Sequence, residues 1–149
     1  MSNRETLDYL RTVASDVTCV RGDTDEYLPA PPSHKILTQG SLRIGCIHGH
    51  QILPWGGHPA ALAATARQLD VDVLITGHTH KFAAFEMDGR FYINPGSATG
   101  AFTSDAVAAG PVVPSFVLMD VQGASFVLYV YKLIDNEVKV EKLDYAKRT

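Results

Sequence analysis

Cysteine is scarce in this chain. Its two copies, Cys19 and Cys46, are too few for a disulfide framework. Each sits in an apolar run, so both are expected to be buried free thiols in a reducing compartment. Long apolar runs are missing too: no stretch approaches the ~20 residues that span a bilayer. The charged start MSNRETLDYL has no signal-peptide core. The expectation is a cytoplasmic protein without direct membrane insertion, peripheral on a membrane only through a partner. A third absence is any run of Lys or Arg. With 13 basic against 16 acidic residues and a net charge of −3, the chain has no basic stripe to track phosphates, which argues against nucleic acid as a partner. Repeats, low-complexity tracts and linkers are also missing, and residues 1–149 are read as one domain.

What is present is 46% hydrophobic residues, enough for a core, in a pattern that changes type along the chain. Ser2 and Glu5 have capping-box spacing ahead of Leu7, Leu10 and Val13, which predicts a helix over about 4–14. VTCV (17–20) reads as a short strand, RGDTDEY as a polar loop and LPAPPS as an extended connection. KILTQGSLRIGCI predicts a hairpin around Gln39–Gly40. HPAALAATARQL predicts a helix with Pro59 in its first turn, and VDVLIT a buried parallel strand. Further on, the sequence predicts hairpins at Asp88–Gly89 and Gln122–Gly123, then a last strand in NEVKVEKLDY. The basic residues at its end alternate with acids and read as a solvated face. The stretch from Pro95 to Pro114 is a long loop of the kind that carries functional surfaces. The fold class is α/β, with βα units first and antiparallel strands later.

A turn at Gln122–Gly123 places Leu118 opposite Val127 and Phe116 opposite Tyr129. One face of that hairpin carries Phe116, Leu118, Val127, Tyr129 and Tyr131; the other carries Val117, Met119, Phe126, Leu128 and Val130. An antiparallel sheet needs only one face for the core. The pattern alone leaves open whether the second face is buried or exposed.

Five of the six histidines fall between His48 and His80. HGH follows one apolar strand and GHTH another. In an extended segment residues two apart point the same way, so His78 and His80 are expected to aim at one point, with Gly77 allowing close backbone approach. Imidazoles at the C-terminal ends of sheet strands suit Zn²⁺, Mn²⁺ or Fe. His34 and His58 lie outside both motifs and are expected at the surface. His50 is left open between a supporting role and plain solvent exposure.

The stretches VRGDTDE, IGCIHGHQILPWG, VLITGHTHKFAAF and FYINPGSATGA together resemble the calcineurin-type metallophosphoesterase superfamily, from about Glu5 to Lys147. The resemblance implies a four-layer αββα fold, a β-sandwich flanked by helices, here lacking the first β-α-β segment. Hydrolases of the superfamily hold two metal ions ~3.5–4 Å apart. Their ligands come from D-x-H, a bridging Asp, G-N-H-[DE], H-G and G-H-x-H. The resemblance puts His48 in the fourth motif and His78 and His80 in the fifth. Asp23 takes the place of the ligand Asn in the third, and Thr24 that of the general-acid His. A threonine hydroxyl has no pKa suited to protonating a leaving group. D-x-H and the bridging Asp are missing, and the chain is expected to be N-terminally truncated relative to the family.

Two further expectations follow from the resemblance. One divalent ion, Zn or Mn, would be held weakly by some of Asp23, His48, His78 and His80, and none is required. The longer motifs, with PSFVLMD, narrow the likeness to a non-catalytic scaffold branch, the small subunits of the endosomal retromer complex. That branch implies a metal-pocket face docking on a large α-solenoid subunit. It also implies a hydrophobic patch of Leu53, Leu118, Tyr129, Tyr131 and Val140 that recruits regulators such as Rab GTPase-activating proteins, at the endosomal membrane. The rival reading is a metal-dependent phosphodiesterase acting on a small phosphate ester.

Overall fold

The computed structural model describes residues 4–23, 25, 30–54, 58–101 and 112–148. The expected capping box at Ser2, the general-acid position Thr24, residues 55–57 and residues 102–111 of the expected 95–114 loop lie outside the described residues. Helix α1 covers Arg4–Val13, with Glu5 in its first turn and Arg11 in its last, charges that complement the helix dipole. Of its apolar residues, Leu7 is buried while Val13 is exposed.

A hairpin follows, β1 (His34–Gln39) and β2 (Leu42–Ile47), then α2 (Pro59–Leu69) and the short strand β3 (Val73–Ile75). Strands β4 (Phe82–Met87) and β5 (Arg90–Pro95) form the next hairpin. The last three strands, β6 (Ser115–Gln122), β7 (Ser125–Ile134) and β8 (Glu137–Ala146), form a meander. They build a five-stranded sheet, β1-β2-β3-β5-β4, and a three-stranded sheet, β6-β7-β8. β3 runs parallel to both of its neighbours, as a buried VDVLIT strand requires, and α2 makes the crossover from β2. The helix stops at Asp70, left-handed at φ 54°, whose amide reaches back to the carbonyls of Ala66 and Arg67.

Two apolar layers hold these elements together. Between the sheets, Leu42, Ile44, Val73, Phe91 and Ile93 meet Phe126, Leu128, Val130 and Tyr145. On the other side of the large sheet, Leu62, Ala63 and Ala66 of α2 pack with Val71, Leu74 and Tyr92. The alanines let the helix lie close to the strands. The Phe85 ring stacks on Tyr92 at 5.1 Å beside this layer.

The structure corrects three local expectations. VTCV is not a strand: among the described residues it pairs with neither sheet, and Arg21 just beyond it bonds to the proline loop, its N–H donating to the Pro32 carbonyl at 2.9 Å. The first hairpin turns one residue later than expected, with Gln39 paired to Leu42. In the β6–β7 hairpin Leu118 lies opposite Tyr129 and Phe116 opposite Tyr131, a slip of two residues from the expected register. The turn is Gly123–Ala124, with Gly123 at φ 61°. A slip of two preserves faces, because side chains alternate with period two. Cys19 and Cys46 are free as expected but only partly buried; burial, then the neighbouring Cys19, pushes the Cys46 thiol up to about 11.

Asp72, just before β3, ties distant segments together. Its carboxylate accepts the Arg43 amide at 2.9 Å and pairs with Lys147 Nζ at 2.9 Å, linking β2 to the chain after β8. Partial burial alone would raise its pKa, but the Arg43 amide and the Lys147 ammonium outweigh that and hold it below the ordinary carboxylate value. Stability from such a depressed group is present above the ordinary value and lost as pH falls through the lower folded one. Urea unfolding of Asp72→Ala should therefore show a loss of about 1–3 kcal/mol at neutral pH. The gap to the parent chain should close in acid, once Asp72 is protonated in both states.

Candidate metal pocket and apolar face

Three loops converge at one end of the five-stranded sheet. β2 leads into His48-Gly49-His50, β3 leads into residues 76–81, and Arg21, Gly22, Asp23 and Asp25 belong to the third. The first two loops are stitched by Gly77 N–H donating to the His48 carbonyl at 2.8 Å, while Thr76 N–H donates to Ile93 at 2.9 Å. Gly49 has φ 109°, a conformation that strains an L side chain, and a Cβ there would lie 3.2 Å from the Gly77 carbonyl. Asn94, buried at the end of β5, braces the same loop. Its Nδ2 donates to the Gly77 carbonyl at 3.1 Å and to Thr79 Oγ1 at 2.8 Å, while its Oδ1 accepts from Gly96 N–H. Sequence reasoning missed Asn94; the signal was an asparagine at a strand end ahead of Pro-Gly.

Within this frame, ligand atoms of Asp23, His48 and His78 all lie within 4.8 Å of one another. His78 is 6% exposed and its Nδ1 is 3.6 Å from the Asp23 carboxylate, which is 42% exposed. The His48 and His78 rings stand edge to face at 5.5 Å. His50, left open by the sequence, joins them: its Nδ1 lies 3.0 Å from His48 Nδ1. Burial pushes the His48 pKa down, Asp23 opposes, and His50 and His78 push it further down. A neutral imidazole is the form that binds metal. Zinc ligands at about 2.1 Å from a tetrahedral ion sit about 3.4 Å apart, so these donors need to draw in by roughly an ångström. The set fits one divalent ion, with a single carboxylate to offset its charge.

His80 is not part of this group. His78 and His80 were expected to share an extended segment, but both have left-handed backbones, φ 70° and 58°, because β3 ends at Ile75 and the loop turns back on Gly77. The Nδ1–H of His80 donates to the Ala101 carbonyl at 2.8 Å, leaving Nε2 as its only ligating atom. Asp25, also missed in the sequence, is buried, and its Oδ2 accepts Gly22 N–H at 2.8 Å, closing the turn that carries Asp23. His34 and His58 are exposed, as expected.

The expected patch divides in two. Leu118 and Val140 are 55% and 52% exposed. The register joins Leu118 to Tyr129 and Tyr131 to Val140, on the outer face of the three-stranded sheet. Phe116 stacks flat on Tyr131 there, 4.8 Å between centroids and 2° apart. A shallow apolar cavity of about 240 Å³ opens beside them, lined by Pro114, Phe116, Tyr131, Leu133 and Val138 among others. Leu53 belongs elsewhere: it is exposed on the loop that carries His48 and His50. Position within HGHQILPWG, two residues past Gln51, was the signal for that placement.

The Gly49 geometry makes a direct prediction. Gly49→Ala should destabilise the fold by about 1–3 kcal/mol through backbone strain and crowding of Gly77, read as a lowered thermal midpoint.

Comparison with known proteins agrees with this geometry. Residues 1–137 match the calcineurin-like phosphoesterase superfamily domain. Vacuolar protein sorting-associated protein 29 of Schizosaccharomyces pombe is 49% identical over 148 residues, 99% of this chain and 78% of that protein. The crystal structure of Chaetomium thermophilum Vps29 superposes with a TM-score of 0.91 at 48% identity, covering 98% of this chain and 78% of that one. Wild-type Vps29 of Entamoeba histolytica complexed with Zn²⁺ superposes with a TM-score of 0.89 at 44% identity, covering 97% and 77%. The chain belongs to the calcineurin-like phosphoesterase superfamily and, within it, to the family of vacuolar protein sorting-associated protein 29.

Proposed function

We propose that this chain, as a single domain, is a non-catalytic scaffold subunit of the retromer complex in endosomal protein sorting. Its pocket face, with Asp23, His48, His78, the adjacent His80 and the exposed Leu53, docks on a large α-solenoid subunit. Its outer β6–β8 face, with Leu118, Tyr129, Tyr131 and Val140, recruits regulators such as Rab GTPase-activating proteins. The observation that carries this reading is the exposed, continuous apolar face on a sheet whose opposite face already fills the core. A hydrolase has no need of such a face, whereas a protein that binds proteins does. Chaetomium thermophilum Vps29 has also been crystallised with a bound cyclic peptide, which supports a family that presents docking surfaces.

The pocket supports a structural role for metal. One divalent ion, Zn or Mn, would be held weakly by Asp23, His48 and His78, with His80 Nε2 alongside, and would supply a single positive centre rather than a two-ion clamp. In this reading the protein works in the cytoplasm, peripheral on the endosomal membrane through the complex. No helix among the described residues is long and apolar enough to cross a membrane.

Two kinds of experiment test the proposal, the first on the pocket and its metal. With Mn²⁺ or Zn²⁺, bis-p-nitrophenyl phosphate should not be turned over; turnover that disappears in His78→Ala would establish the phosphodiesterase instead. Zinc calorimetry should show at most one site of micromolar class.

The second is a pull-down with Leu118→Asp, which should fold normally because the side chain is more than half exposed. It should lose the regulator, since an unpaired charge buried in an interface costs about 2–5 kcal/mol. Binding of the large subunit should remain. Loss of both partners by a folded variant would show that the two faces are not separate.

A further inference from the structure

His50 lies outside the expected ligand set, yet its ring is packed into the cluster, 5.1 Å from the His48 centroid and 6.5 Å from that of His78. The His48–His50 contact joins the two Nδ1 atoms at 3.0 Å. Two imidazole nitrogens at that distance must share one proton between them, since two lone pairs or two N–H groups would repel. The opposite edge of His48 faces the third loop: a Cβ on Gly22 would lie 3.4 Å from His48 Cδ2, 3.5 Å from Nε2 and 3.3 Å from Asp25 Oδ2. His48 is therefore held between two walls, with Nδ1 toward His50 and Nε2 toward the turn that carries Asp23.

The proton shared with His50 decides what Nε2 can do. If His48 is protonated on Nδ1, Nε2 carries a lone pair and can ligate. If His50 is the donor, His48 must carry its proton on Nε2, which then points an N–H at the cluster and cannot ligate. Ligating histidines commonly donate their second ring N–H to a carboxylate or carbonyl, which fixes both tautomer and ring orientation. At His48 Nδ1 the neighbour, among the described residues, is an imidazole.

We propose that His50 is the positioning residue of this pocket: its Nδ1 accepts the Nδ1–H of His48 and so presents His48 Nε2, unprotonated, to a divalent ion shared with Asp23 and His78. This rests on the metal-site reading above. His50 itself does not touch the ion.

The test uses the full chain and zinc alone, by calorimetry and by ¹⁵N NMR of the histidine side chains. The parent should bind zinc, and His78→Ala should lose it. His50→Leu should weaken binding about 10–100-fold, while His50→Gln, whose Oε1 can accept the same hydrogen bond, should restore most of it. In the zinc-loaded parent, His48 should show a protonated Nδ1 and a metal-shifted Nε2, with the Nδ1–H signal lost in His50→Leu. Zinc affinity unchanged in His50→Leu overturns the proposal while leaving the metal site standing. So does a zinc-induced shift on a nitrogen of His50, which would make it a ligand. No zinc binding by the parent overturns the metal-site reading and this proposal together.

Discussion

Removing Phe126, Leu128 and Val130 of β7 from water against Leu42, Ile44, Val73 and Ile93 joins the two sheets. Each such side chain contributes roughly 1.5–3 kcal/mol when fully buried. Because a strand alternates, that one commitment also decides what faces outward. With the even-numbered residues of β7 in the core, Tyr129 and Tyr131 must point away from it, and pairing brings Leu118, Phe116 and Val140 to the same side. The apolar outer face is thus a by-product of the register that makes the core. A one-residue slip would exchange the two sets.

The pocket depends on a different economy. None of its imidazoles lies on regular structure; each hangs from a loop whose backbone is fixed by neighbours. Gly77 is pinned to His48, Thr76 to Ile93, and Asn94 reaches across from β5 to hold Gly77 and Thr79. The third loop is closed by Asp25 on the Gly22 amide. Rigid strands supply position, and short side-chain bonds supply orientation.

Much of this was legible in the sequence, for reasons that differ by element. The Asp88–Gly89 turn, α2 and the buried character of β3 were set by local chemistry, by turn residues, helix propensity and an unbroken apolar run, and they stand as read. The face assignment of β6 and β7 survived an error in register because period two is insensitive to a slip of two. What failed was whatever depended on distant neighbours. VTCV has strand composition, but composition cannot say whether a partner edge is available. His78 and His80 looked alike on paper, and only the left-handed backbone after β3 separates them. The pocket's location was carried by HGH and GHTH, and His50 was flagged there with its role left open, whereas Asn94 was hidden because it acts across the fold from β5 and Asp25 because nothing in RGDTDEY marks which acid closes the turn.

The contacts that close the sandwich also join early and late parts of the chain. Ser41 N–H donates to the Gly123 carbonyl, the Tyr145 hydroxyl to the Gly89 carbonyl, and Lys147 pairs with Asp72. During synthesis the five-stranded sheet is complete by Pro95, yet the residues that cover its inner face, from Val117 of β6 to Tyr145 of β8, are made only afterwards. A high contact order slows folding, and a nascent chain with an open apolar sheet is exposed to misassembly. The growing polypeptide therefore passes through an interval on the ribosome when Leu42, Ile44 and Val73 have no cover, and the last thirty or so residues end it.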